Sequence, residues 1–195
     1  MIGYLALARE TFDVDFAESK FSEAKNLLKS ITSEALGFNQ LITNDDIAKK
    51  ALDFFGKNEC DKIFLFQTTF TDAKFILNFA QDVKKPICIV SFPEPRTGGR
   101  LRLNSICGLN LGMHSLIKNN IVPDFIIHKN NINSTKLFFS KFIKKNIKQN
   151  KKTKWKKIHL YNVNFPQKIS IAKKQTIGII GKRPDGFDTC DYDKV

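Results

Sequence analysis

The sequence predicts an α/β protein whose first 150 residues build a doubly wound, five-stranded parallel sheet, followed by the start of a second α/β domain. Two observations carry this expectation. Short apolar runs and segments of helical periodicity alternate five times along the chain. The composition, 195 residues with 42% apolar and 26% charged side chains, is that of an ordinary globular protein with room for one domain and the beginning of another.

The elements follow in order. The apolar run from Ile2 to Ala8 is a strand; after turn-like polar residues, Phe16, Phe21, Ala24, Leu27, Leu28 and Ile31 recur at helical spacing. The same unit repeats as strand Gln40–Thr43 with helix Asp45–Phe55, strand Lys62–Phe66 with helix Thr71–Val83, strand Ile87–Val90 with helix Asn104–Ile117, and strand Phe125–Ile127 with helix Ser134–Ile147. Parallel neighbours need a crossover, and right-handed crossovers cover both faces of the sheet. The expected arrangement is therefore the flavodoxin-like order 2-1-3-4-5, with a ligand beyond the carboxyl ends of the strands near the switch between strands 1 and 3.

Past the fifth helix, Thr176–Gly181 reads as a fresh strand, so the chain divides into a domain over 1–150, a basic linker over 151–174 and the beginning of a second domain over 175–195. The formal charge of +13 is unevenly spread. Between Phe125 and Pro184 there are 16 Lys and Arg and no Asp or Glu, leaving 16 basic against 19 acidic residues elsewhere. Lys144, Lys145, Lys148, Lys151, Lys152, Lys154, Lys156 and Lys157 accompany a single aromatic, Trp155. A nucleic-acid surface usually mixes arginine and stacking aromatics, so this run reads first as a solvated helix end and linker, with polyanion binding as the alternative.

Several classes are disfavoured. No apolar run approaches the ~18 residues of a membrane span. The start lacks the basic flank of a signal peptide, and a cytoplasmic location is expected. Cys60, Cys88, Cys107 and Cys190 form no C-x-x-C pair, and Cys88 and Cys107 are expected to pack as small hydrophobes. His114, His128 and His159 have no zinc-ligand spacing.

The loops after strands 1, 3 and 4 carry the candidate site. Arg9 and Thr11, in Arg9-Glu10-Thr11-Phe12-Asp13, offer a cation and a hydroxyl to a polyhydroxylated ligand; the alternative is that Thr11 or Asp13 caps the first helix and Arg9 pairs with Glu10. In the turn Gln67-Thr68-Thr69-Phe70-Thr71-Asp72, Thr71 or Asp72 is a suitable N-cap, which leaves Gln67 as a hydrogen-bonding group and Phe70 as an apolar wall or a core residue. The loop after strand 4 contains Arg96, Gly98, Gly99, Arg100 and Arg102, three guanidinium groups suited either to directed recognition of carboxylate or phosphate or to a subunit contact. On the next helix, Gly108 and Gly112 allow a close backbone approach, and His114 is either structural or part of the site. No nucleophile–base pair and no paired catalytic carboxylates are evident, so the residues describe a ligand-binding module without a complete reaction centre.

These loops resemble the amino-terminal domain of the L-fucose isomerase and L-arabinose isomerase family. Arg9–Asp13 resembles the R-x-T-x-D stretch of fucose isomerases, Thr69-Phe70-Thr71-Asp72-Ala73-Lys74 is similar to T-F-x-x-A-K of arabinose isomerases, and Leu109–His114 is similar to their L-N-x-x-x-H segment. Gly181-Lys182-Arg183 and Asp193-Lys194-Val195 resemble the opening of the family's second domain. The resemblance implies an aldose–ketose isomerase for a pentose or deoxyhexose. It further implies a divalent metal such as Mn²⁺ and proton-transferring acids in later domains, with no metal bound here and this chain inactive alone. It implies too a homo-oligomer in which this domain lends Arg9, Phe70 and His114 to a monosaccharide pocket. Leu111 stands where arabinose isomerases carry an amide, which counts against L-arabinose. The alternatives are a non-enzymatic sugar or sugar-phosphate binding module and, behind it, a nucleic-acid binder.

Overall fold

A computed structural model describes residues 1–128, 132–146 and 180–190. The elements are β1 (Ile2–Leu7), α1 (Val14–Lys29), β2 (Ala35–Ile42), α2 (Asp45–Lys57), β3 (Lys62–Gln67), α3 (Lys74–Val83), β4 (Ile87–Ser91), α4 (Ser105–Lys118), β5 (Asp124–Ile127) and α5 (Ile132–Lys144). A short 3-10 turn follows at Asp188–Cys190. The five strands lie in the order β2-β1-β3-β4-β5 and every pairing is parallel, as the alternation predicts.

Period-two alternation distributes each strand between two cores. Tyr4, Ala6, Phe64, Phe66, Cys88 and Val90 face one layer with Phe21 and Leu28 of α1 and Phe139 and Phe142 of α5. Leu5, Leu7, Ile63, Leu65, Ile87 and Ile89 face the other with Phe55 of α2, Ile76 and Phe79 of α3, and Leu109 and Leu116 of α4. Covering both faces is why the central strands read as unbroken apolar runs. Phe64 meets Phe139 at 4.6 Å and Phe142 at 5.0 Å between ring centroids, packing that joins α5 to the sheet centre.

Several local expectations change. β2 starts at Ala35 rather than Gln40: Ala35, Leu36 and Gly37 pair with Ile2, Gly3 and Tyr4 of β1, and the exposed Asn39 and Gln40 separate this half from the apolar Leu41 and Ile42 in the sequence. α3 starts at Lys74 rather than Thr71, and no side chain caps it from the N-cap position. Cys88 is buried as expected, and burial pushes its thiol well above the ordinary value. Cys107, by contrast, is exposed on the outer face of α4. Gly108 and Gly112 admit side chains rather than a backbone: a Cβ on Gly108 would stand 2.8 Å from Gln67 Nε2, and one on Gly112 would stand 3.2 Å from Ile76. Ile180 and Gly181, the described end of the expected sixth strand, lie in no strand; its remaining residues and the linker over 151–174 lie outside the described residues.

Candidate substrate-facing rim

The carboxyl ends of β1, β3 and β4 meet in a set of loops held by backbone hydrogen bonds. Arg9 N–H donates to Thr69 Oγ1 at 2.8 Å, and the Thr68 hydroxyl donates to the Leu7 carbonyl at 2.7 Å, tying the β1 loop to the β3 loop. The β4 loop lies across both. Asp13 N–H donates to the Arg102 carbonyl at 3.0 Å and Phe70 N–H to the Leu103 carbonyl at 2.8 Å, with the Leu103 side chain fully buried.

Glu94 organises that loop. Its carboxylate accepts the backbone N–H groups of Arg102, Leu103 (3.0 Å) and Asn104 (2.8 Å), all just ahead of α4. Ser105, the first residue of α4, continues the weld: its hydroxyl donates to the Gln67 carbonyl, lies 2.8 Å from the Ser91 hydroxyl and accepts Phe92 N–H at 3.0 Å. Arg102 is engaged in structure as well. It donates through Nε and Nη2 to Asp13 Oδ2 at 2.9 and 2.8 Å, with its guanidinium 4.0 Å from the centre of the Phe16 ring. Asp13 is the N-cap of α1, and the Phe16 N–H together with Arg102 holds its carboxyl below the ordinary value.

On this frame the candidate residues separate. Arg9 and Phe70 come together, the guanidinium 5.8 Å from the ring centroid, with Asp72 Oδ2 3.6 Å from Arg9 Nη2. Arg100 reaches the β1 loop through a 2.8 Å bond from Nη2 to the Thr11 carbonyl, and Thr11, Arg96 and Arg100 are exposed in the loops after β1 and β4. Gln67 is placed otherwise than as a ligand group. It is 1% exposed, and its amide donates to the Thr69 carbonyl at 2.7 Å and the Thr71 hydroxyl at 2.9 Å. His114 is exposed on α4, nine residues beyond Ser105 and so about 13 Å down the helix from the rim; it is not brought beside Arg9 and Phe70.

Three rim residues lacked a sequence signal strong enough to single them out. Phe12 lies 6.3 Å from Phe70 between ring centroids, inside a motif read only for its polar members. Glu94 stands between two prolines, where a carboxylate reads as ordinary surface. Phe187 reaches Phe70 at 6.1 Å from the far end of the chain, a contact no local pattern encodes.

The other polar features serve packing. His128, 4% exposed at the end of β5, lies between Thr135 of α5 (Nδ1 to Oγ1, 2.8 Å) and Glu23 of α1 (Nε2 to Oε1, 3.0 Å). Burial opposes ionisation of Glu23, but bonds from Lys20 and His128 outweigh it and hold the carboxyl below its ordinary value. One recess of about 460 Å³ lies at the amino end of the sheet between Lys62, Lys85 and Lys145, and one of about 520 Å³ lies against Leu137 and Phe138 of α5, both away from the rim. Lys62 there donates to the carbonyls of Phe142, Ile143 and Lys145, capping α5. Among the described residues no three His, Cys, Asp or Glu side chains converge to hold a metal ion. Among the same residues no helix is long and apolar enough to cross a membrane. The lysine run beyond Asn146 lies outside them.

Residues 3–152 match the family model described as the fucose/sulfoquinovose isomerase N-terminal domain. The chain belongs to that family. Curated relatives of this chain include the sulfoquinovose isomerases of Priestia megaterium and Priestia aryabhattai, each 26% identical over 184 residues, covering 94% of this chain and 37% of the relative. A sulfoquinovose isomerase of Alkalicoccus urumqiensis is 31% identical over 123 residues, covering 63% of this chain and 27% of the relative. The chain thus spans between about a quarter and a little more than a third of the length of these relatives.

Proposed function

We propose that this domain forms the substrate-binding wall of an aldose–ketose isomerase whose sugar is a hexose carrying an anionic group at C6, of which sulfoquinovose is an example. The observation that carries the reading is the pairing of Arg9 with the exposed part of Phe70, 5.8 Å apart at the carboxyl rim and flanked by Arg100 on Thr11. An aromatic ring receives the C–H face of a pyranose, while guanidinium groups recognise a fixed anion directionally. Neither a neutral pentose nor L-fucose uses the second of these, which is why the anionic hexose replaces the pentose or simple deoxyhexose of the resemblance.

The work of this wall is binding and orientation. Isomerisation moves a proton between adjacent carbons and needs a basic group, such as a carboxylate, free to take it at the site. The rim carboxylates are engaged: Asp13 with Phe16 N–H and Arg102, Glu94 with three backbone N–H groups, Asp72 with Lys74 N–H, and Glu10 with the Thr43 hydroxyl. In this reading the metal and the proton-transferring acids belong to the part of the relatives' length that this chain does not span, and a neighbouring subunit in an oligomer brings them to the rim. The same engaged carboxylates favour, as second reading, a binding module without chemistry.

A titration of the ¹⁵N-labelled chain separates the readings. Sulfoquinovose is expected to shift the amides of Arg9, Phe70 and Arg100, with weaker shifts from D-glucose and L-arabinose. Equal response to neutral and sulfonated sugars would refute the anionic-hexose assignment, and no response at the rim would refute the wall. The chain alone is expected to convert no aldose to ketose. Conversion by a longer protein containing this domain supports the isomerase reading; binding without conversion there supports the module.

A further inference from the structure

We infer that Phe187, on the segment that returns to the rim from the far end of the chain, is a sugar-contacting residue that completes the aromatic platform begun by Phe12 and Phe70; this rests on the reading of the rim given above. Its ring lies 6.1 Å from that of Phe70, tilted by 47°, and both are half-buried, so each leaves part of its surface open. The residues on either side of it are fixed. The Gly186 carbonyl accepts Ala73 N–H at 3.0 Å, next to Asp72 Oδ1, which accepts Lys74 N–H at 3.0 Å, at the start of α3. On the other side, Asp188 accepts the Ser115 hydroxyl of α4 at 2.6 Å and Arg183 Nη1 at 2.7 Å. Those donors overcome the effect of burial and hold the Asp188 carboxyl below its ordinary value.

The seat of Gly186 is specific. Its φ of +78° disfavours any side chain, and a Cβ there would stand 2.7 Å from Lys74 N and 2.8 Å from Asp72 Oδ1. Asp72 is also the carboxylate beside Arg9, so the residue that would crowd a side chain at position 186 is the partner of the rim guanidinium. A plug for the core needs only apolar volume, which leucine supplies. A platform for a pyranose needs a flat aromatic face, which leucine lacks and tyrosine keeps.

That difference gives the test, with sulfoquinovose as probe and the whole 195-residue chain as protein. In the wild-type titration the Phe187 amide and ring signals are expected to move together with those of Arg9 and Phe70. Phe187→Leu is expected to weaken binding about three- to tenfold, and Phe187→Tyr to stay within about twofold. Methanesulfonate, which has no sugar face, is expected to bind wild type and Phe187→Leu alike. Shifts at Arg9 and Phe70 with none at Phe187, or a Phe187→Leu variant that binds as wild type, overturn this inference and leave the rim reading intact. No binding by the wild type overturns the rim reading itself. If Phe187→Leu does not fold, the wild-type shifts and the tyrosine variant decide.

Discussion

Glu94→Ala tests the frame of the rim most directly. One half-buried carboxylate accepts three backbone N–H groups, those of Arg102, Leu103 and Asn104, and the carbonyls of Arg102 and Leu103 in turn receive Asp13 and Phe70. Hydrogen bonds to a charged group contribute about 1.5–3 kcal/mol each when buried, and partial exposure together with water replacing some of them reduces the summed loss to about 3 kcal/mol. That is about a 150-fold change in a local opening equilibrium. The assay is amide hydrogen exchange read residue by residue, since the loop can open without unfolding the sheet. Asp13, Phe70 and Leu103 are expected to exchange about two orders of magnitude faster in the variant, while central β3 amides such as Leu65 change far less. Glu94→Gln is expected to fall between wild type and alanine, because an amide keeps one acceptor oxygen and turns a donor toward the remaining N–H groups. If Asp13 and Phe70 keep wild-type exchange within about threefold in Glu94→Ala, Glu94 does not hold the two loops together.

Further predictions concern packing, charge and thiols. Gly56→Ala, where nothing lies within 4 Å of the added Cβ, is expected to stabilise by about 0.5–1 kcal/mol. Gly108→Ala, whose Cβ meets Gln67 Nε2 at 2.8 Å, is expected to destabilise by about 1–2 kcal/mol, so thermal melts of the pair shift in opposite directions. Asp13 has a folded-state pKa depressed below its ordinary 3.8 by Phe16 N–H and Arg102, so its stabilisation is present above 3.8 and is lost as pH falls through the lower folded value. Melting temperatures of wild type and Asp13→Asn are therefore expected to differ at pH 6 and converge in strong acid; a gap that persists at the acid end contradicts this. Thiol titration of the native chain is expected to modify Cys107 and Cys190 quickly and Cys60 and Cys88 only on unfolding, because the latter two are buried and burial raises their thiol pKa values.

The alternation of strands and helices, the strand order and the two buried faces were readable from the sequence because they rest on local periodicity and on the handedness of crossovers, which act within a few tens of residues. The same periodicity assigns Arg9, Phe70 and Arg100 to the loops at the carboxyl ends of the strands, where the structure has them. The tertiary structure alone decided which of the rim's polar groups are spent on holding it. Gln67 is closed by Thr69, Thr71 and Gly108, Arg102 by Asp13 and Phe16, and Glu94 by the backbone ahead of α4. His114, placed in the site by its motif, faces solvent well below the rim. Phe187 reaches Phe70 only because the chain returns across α3 and α4. A side chain's type and spacing state what it can bind, but which partner takes its hydrogen bonds depends on residues distant in sequence, and only the folded chain brings those within reach.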